Sequence, residues 1–135
     1  MRKSVKSFFL TIFLILVIST SVFALDTMSG TYYSPTNSSV SLTYCSSIEW
    51  WSLFHPKVTG TVMTVNSSVN YTHKTFVSYF LYEDGAAVKA DLKSTSDIKA
   101  ILYISYDDGD KVRSVHRLLN PSTDTAVLSK TIVND

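Results

Sequence analysis

The chain has 135 residues, of which 45% are hydrophobic and 17% charged, and its formal net charge is +1. This length allows one domain, or one domain with a targeting segment. With only 4 glycines, 3 prolines and 1 cysteine, the composition excludes a collagen-like chain, a charge-rich disordered chain and a disulfide framework.

The first 24 residues have the three parts of a secretory signal peptide. A short basic start is followed by an apolar run over residues 8–18, broken only by Thr11, and by small and polar residues that end at Ala24. We predict cleavage after Ala24, with an uncleaved membrane anchor as the alternative. The run is shorter than the roughly 20 residues that a spanning helix needs, so we expect no stable membrane span after cleavage.

Cleavage would also change the charge of the chain. It removes Arg2, Lys3 and Lys6 and no acidic residue, so the mature protein becomes weakly negative. A weakly negative chain has no electrostatic footprint for nucleic acid, and we predict no nucleic acid partner. The predicted location is secreted or at the cell envelope.

The mature chain is predicted to fold as one domain over residues 40–135 after an irregular lead-in. Residues 25–39 are rich in Ser, Thr, Asn and Tyr, which is the basis for the lead-in. Residues 40–45 alternate as a half-buried strand does. The dense apolar stretch 48–54 is either a short helix or a buried strand, since periodicity cannot decide at this length.

After Pro56 the chain is a succession of β-rich segments separated by turn residues. These segments cover residues 58–65, 69–82, 86–93, 98–106, 111–119 and 125–133. About seven short strands at this spacing predict an all-β protein, a small antiparallel β-sandwich or an open barrel.

A weak internal similarity relates residues 82–90 to residues 106–114 and suggests two hairpins with one loop geometry. A three-residue loop at 107–109 would place Gly109 in the left-handed region and would pair Ile104 with Val112. The faces then segregate into apolar and charged, so we prefer it to a two-residue loop.

The same geometry at residues 83–85 would bury Phe76 and Phe80 and leave Val77, Tyr79 and Leu81 outside. A two-residue loop there would do the reverse, because a slip of one residue exchanges the two faces of a strand.

The register that follows from the three-residue loops gives the candidate binding surface. It places aromatic rings beside cations on one outer face, an arrangement that suits stacking on sugars or contact with anionic polymers. The predicted binding residues are Tyr79, Tyr103, Lys89, Arg113 and Arg117. Trp50 and Trp51 are each interpreted as a core anchor or as an exposed stacking platform.

The two acidic loops are expected at the same end of the sheet, where their carboxylates could gather. A calcium site is a weak hypothesis for Asp84, Asp107, Asp108 and Asp110, since calcium prefers several oxygen ligands. The alternative is turn chemistry, because Asp before Gly favours tight turns.

No pattern in the sequence indicates catalysis. His55, His73 and His116 lack the close spacing of paired metal ligands, and neither a Gly-x-Ser-x-Gly elbow nor a phosphate loop is present. We therefore predict no enzyme and no cofactor.

The leading hypothesis is an exported, non-enzymatic β-sandwich module with a binding or structural role at the cell envelope or outside the cell. Its ligand is unknown, a glycan or a protein. The alternative is a small secreted bacteriocin-like or toxin-like antagonist, and a secreted hydrolase comes third.

Overall fold

A computed structural model describes residues 23–51 and 57–135. Apart from Phe23 and Ala24, the predicted signal peptide lies outside the described residues. The described chain contains eight strands and no helix, so the prediction of an all-β fold is confirmed. The strands are β1 (Phe23–Tyr33), β2 (Ser41–Trp51), β3 (Lys57–Asn66), β4 (Lys74–Glu83), β5 (Ala86–Thr95), β6 (Lys99–Tyr106), β7 (Lys111–Leu119) and β8 (Ala126–Asn134).

The strands form two antiparallel sheets of four. Sheet I has the order β1-β2-β3-β6, and sheet II has the order β5-β4-β7-β8. The main apolar core lies between them and takes residues from both sheets, such as Val62 and Leu102 from sheet I and Val77 and Leu81 from sheet II. Burying each of these side chains contributes about 1.5–3 kcal/mol, so face-to-face packing dominates the stability of the fold.

The predicted irregular lead-in is wrong over residues 25–33, which belong to β1. This strand pairs with β2 along its whole length, and its side chains are largely exposed. Thr27 and Thr31 share side-chain hydrogen bonds with Ser47 and Thr43 across the pair, at 2.9 and 3.0 Å. A polar composition therefore marks an edge strand here, because an edge strand can hydrogen-bond its hydroxyls at the surface.

The predicted three-residue loop between β4 and β5 is also wrong. Asp84 and Gly85 both have positive φ, 51° and 80°, and Glu83 pairs directly with Ala86. This is a two-residue turn of the kind that matches strand twist, and Asp-Gly is well suited to it. A register shift follows between Leu81 and Tyr82.

The inner and outer faces of β4 are the reverse of those predicted. The turn does not decide this, because the register shift beside it gives β4 and β5 the same matching of faces that a three-residue loop would give. The pairing of β4 with the alternating strand β7 decides it. The side chains of Val77, Tyr79 and Leu81 are buried in the core, at 0%, 1% and 0% exposure. Phe76 and Phe80 lie on the outer side of the sheet instead, with partial exposure.

β6 and β7 do not form the predicted hairpin. β6 pairs with β3 in sheet I, and β7 pairs with β4 and β8 in sheet II, so residues 107–110 connect the two sheets. The predicted split between inner and outer side chains still holds: Ile104 and Val112 are buried, whereas Tyr103 and Arg113 are exposed. Strands on opposite sheets need the same split as hairpin partners, so this pattern could not distinguish the two arrangements.

A polar layer crosses the interior beside the main core. The buried ring of His116 on β7 lies 2.8 Å from Thr64 Oγ1 through Nδ1 and 2.9 Å from Ser114 Oγ through Nε2. Thr64 belongs to β3, so the ring ties sheet II to sheet I. Loss of solvation lowers the pKa of His116 from 6.5 to about 4, although a backbone hydrogen bond with Met63 opposes this shift.

Among residues 23–51 and 57–135, no helix is long and apolar enough to cross a membrane.

Candidate functional site

The outer face of sheet II carries a row of three cation–aromatic pairs. Cross-strand register places Phe76 opposite Arg117, Phe80 opposite Arg113 and Tyr82 opposite Lys111. We call these six residues the ladder. Residues directly opposite each other in an antiparallel pair have side chains close enough to interact, which is how β4 and β7 assemble the row.

In each pair of the ladder the cation stands close to the ring. The guanidinium carbon lies 5.5 Å from the ring centre in the Arg117–Phe76 pair and 5.6 Å in the Arg113–Phe80 pair. The Lys111 ammonium lies 5.0 Å from the centre of the Tyr82 ring. All three distances are within the roughly 6 Å over which a ring attracts a cation.

A groove runs beside the ladder on the same face and has a volume of about 620 Å³. Its floor includes Ser78 and Val115, and Leu92 of the edge strand β5 forms one side with 63% of its surface exposed. A second cavity of about 530 Å³ shares Phe76 and Arg117 with it. The two therefore meet at one end of the ladder.

Of the five predicted binding residues, Arg113 and Arg117 lie together on this face. The other three lie elsewhere. Tyr79 is buried, because it lies opposite the buried Ser114 on the side of β4 that faces the core; burial, and secondarily the charge of Asp91, raises its pKa above 10.0. Tyr103 is 72% exposed, but it belongs to β6 and so lies on the outer face of sheet I.

Lys89 was predicted for the outer face and lies instead on the inner side of the edge strand β5. It pairs with the buried Leu81, and its ammonium donates a hydrogen bond to the Ser105 carbonyl oxygen at 2.9 Å. It also lies 5.9 Å from the centre of the Tyr106 ring. Lys89 therefore links the edges of the two sheets.

Four members of the ladder were missed from the sequence: Phe76, Phe80, Tyr82 and Lys111. Both faces of β4 are apolar, so alternation could not show which one is buried. The signal that could have found them is the alternation of β7, in which Arg113 and Arg117 mark the outer side. A strand paired with β7 has the residues opposite these arginines on the same outer side, and these are Phe80 and Phe76.

The two tryptophans of β2 have different environments. Trp50 packs against the main core, whereas Trp51 is 44% exposed on the outer face of sheet I. The Trp51 indole donates to Thr59 Oγ1 at 3.2 Å, and that hydroxyl donates to Glu49 at 3.1 Å. The stretch 48–54 is thus strand through Trp51, and residues 52–54 lie outside the described part of the chain.

The two acidic loops do lie at one end of the molecule. The Asp110 amide donates to the Tyr82 carbonyl oxygen at 2.9 Å, and the Asp84 amide donates to the Asp110 carboxylate at 3.0 Å. The nearby Asp108 carboxylate is the main cause of a raised pKa at Glu83, because like charges disfavour ionisation.

The calcium hypothesis for Asp84, Asp107, Asp108 and Asp110 is not supported by this geometry. Asp108 accepts a hydrogen bond from the Gly109 amide at 2.8 Å, and Asp110 accepts one from Asp84, as turn residues commonly do. Within the described residues, no group of three or more His, Cys, Asp or Glu side chains could hold a metal ion. The carboxylates of Asp108 and Asp110 stabilise the loops.

Comparison with known proteins finds no family model, no curated protein and no solved structure that matches the chain.

Proposed function

We propose that the protein is an exported, non-enzymatic binding module that acts at the cell envelope or outside the cell. Its ligand docks on the outer face of sheet II, in the groove beside the ladder. The observation that carries this proposal is the row of three cation–aromatic pairs beside an open groove of about 620 Å³. Arginine and aromatic residues are the side chains that most often dominate binding surfaces.

Export is supported by the charged, apolar and small-residue segments of residues 1–24. A binding role without catalysis is supported by the placement of His116. Both of its ring nitrogens are hydrogen-bonded to hydroxyls in the interior, so the ring does not reach a substrate as a general base must.

The alternative predicted from the sequence, a small secreted antagonist, stays a prediction. No feature of the described surface favours it over a binding module.

The proposal is tested by probing a glycan and cell-wall array with the purified protein and two charge-matched variants. R113Q/R117Q removes two cations from the ladder face. K57Q/K99Q removes two exposed cations from the outer face of sheet I. We expect R113Q/R117Q to lose the array signal and K57Q/K99Q to keep it.

Equal signals from the protein and R113Q/R117Q would contradict the assignment of the ladder face. Turnover on a panel of hydrolase substrates that disappears in a single Asp or His variant would contradict the absence of catalysis.

A further inference from the structure

We propose that the ligand of the ladder face is an acidic polysaccharide, an extended glycan whose carboxylates pair with Arg113 and Arg117 while its sugar rings cover the groove floor between them. This inference rests on the proposed function and adds the chemical class of the ligand.

The first step is the state of the two guanidinium groups. Each stands over a phenylalanine ring, at 5.6 Å for Arg113 and 5.5 Å for Arg117. Arginine can stack on an aromatic face while its planar fork of N–H donors remains free for a carboxylate. Arg117 Nε also donates to Ser129 Oγ at 3.2 Å, which restricts that side chain further. Both guanidinium groups are thus restricted in conformation before a ligand binds, which lowers the entropy cost of binding.

The second step is charge. Among the residues that the structure describes, one ion pair forms, between Lys74 and Asp124 at 2.9 Å. Neither Arg113 nor Arg117 forms an ion pair with a carboxylate there. Asp91 is the acidic residue of the groove lining, against the two arginines, and it forms no ion pair with either of them. The lining therefore has a net positive charge, which an anionic ligand complements.

The third step is spacing. Arg113 and Arg117 are four positions apart on β7, which corresponds to about 13 Å along an antiparallel strand. The floor between them contains Val115 and Ser78, with Leu92 at the side. A matching ligand carries anionic groups at intervals along an extended chain, and between them it has a surface that can cover apolar side chains. Sugar rings with carboxylate substituents meet both conditions.

The shape of the site favours a glycan over a folded acidic protein. The groove continues past Phe76 and Arg117 into the second cavity, so it offers a path along the sheet face. A folded partner would need a broad contact of about 800 Å² on each side, whereas a path of this kind accommodates one extended chain.

The test is calorimetric titration of the purified protein with oligomers of three acidic polysaccharides: polygalacturonate, alginate and hyaluronate. The fully methyl-esterified galacturonate oligomer of equal length serves as the neutral control. We expect at least one acid to bind and esterification to weaken the binding of galacturonate at least about tenfold, as losing a charged hydrogen bond does.

The variants R113Q and R117Q should each weaken binding by roughly tenfold, whereas K99Q on the opposite face should change it less than about twofold. R113K keeps the charge without the planar fork and should give an intermediate loss. Thermal unfolding of each variant checks that the fold is retained.

Two results would contradict the proposal that the ligand is an acidic polysaccharide without contradicting the proposal that the ladder face binds a ligand. One is equal binding of the esterified and free oligomers. The other is failure of all three acids while the array signal still depends on Arg113 and Arg117. Equal weakening by K99Q and R113Q would show non-specific attraction and would overturn the binding face as well.

Discussion

The outer faces of sheet I and sheet II differ in how their polar side chains are satisfied. On sheet I, hydroxyls pair with one another, as Thr27 does with Ser47 and Thr31 with Thr43. On sheet II, Arg113 and Arg117 stand over rings and have no carboxylate partner in the described chain. Sheet I has thus satisfied much of its polar surface internally, whereas sheet II retains donors for a ligand.

The two outer faces exist only while the sheets stay packed against each other, and lowering the pH should weaken this packing more than any other change considered below. His116 has a pKa of about 4 when folded and 6.5 when unfolded, so the unfolded chain binds a proton first as the pH falls. Stability is full above pH 6.5 and is lost towards pH 4, by about 2 kcal/mol at pH 5 and about 3 kcal/mol in total.

Urea unfolding at pH 7 and pH 5 measures this loss. The variant H116Q cannot titrate at that position, so it should lose much less stability over the same interval. The same loss in H116Q would assign the pH dependence to other groups.

A substitution at Gly60 should lower stability without changing ligand affinity. A Cβ at Gly60, in the middle of β3, would lie 2.5 Å from the Ser47 carbonyl oxygen and 2.9 Å from Ile48 Cδ1. G60A should therefore destabilise the protein by about 2 kcal/mol, since backbone must move to relieve the overlap. Ligand binding to sheet II should not change.

G30A is the matched control for Gly60. Its Cβ would meet the hydroxyl end of the Tyr44 side chain at 2.8 Å, and that side chain can move. Denaturant unfolding should show a smaller loss for G30A than for G60A. Equal losses would contradict the packing described for the centre of sheet I.

A smaller effect should appear when a ring of the ladder is removed. F80L keeps most of the apolar volume but removes the ring under Arg113. A cation–ring contact at an exposed site contributes about 0.5–1 kcal/mol, so affinity for an anionic ligand should fall roughly two- to fivefold. M63L, on the outer face of sheet I, should leave the affinity unchanged; calorimetric titration compares the two.

The smallest effect is expected for the hydroxyl pairs of sheet I. T27V removes the exposed hydrogen bond to Ser47 and should change stability by no more than about 0.5 kcal/mol. Ligand affinity should be unaffected. A clear loss of affinity in T27V would move the binding surface to sheet I.

The all-β class and most of the strands could be predicted because alternation is a local property of the sequence. Alternation also assigned the buried sides of β6 and β7 correctly, with Ile104 and Val112 inside. It could not pair those strands, because partners in one sheet and neighbours across a core need the same alternation. β1 was missed for a related reason: it contains Asp26, Thr27, Ser29 and Thr31, and an edge strand and a loop can share such polar residues.

Only part of the candidate site could be predicted. Arg113 and Arg117 were found because charges on β7 alternate with apolar residues. Phe76 and Phe80 were missed because both faces of β4 are apolar, and the pairing of β4 with β7 decides which one is buried. That pairing joins residues far apart in the sequence, so alternation does not show it. Tyr79 was assigned to the outer face for the same reason.

The most direct test of the ladder face is to map binding by NMR. The backbone amide signals of the protein are followed while an acidic oligomer that binds it is added in steps. We expect the largest shifts on β4 and β7 around Phe80, Arg113 and Arg117, with the signals of the outer residues of β2 and β3 unchanged. Shifts concentrated on β2 and β3 instead, with β4 and β7 unaffected, would contradict it.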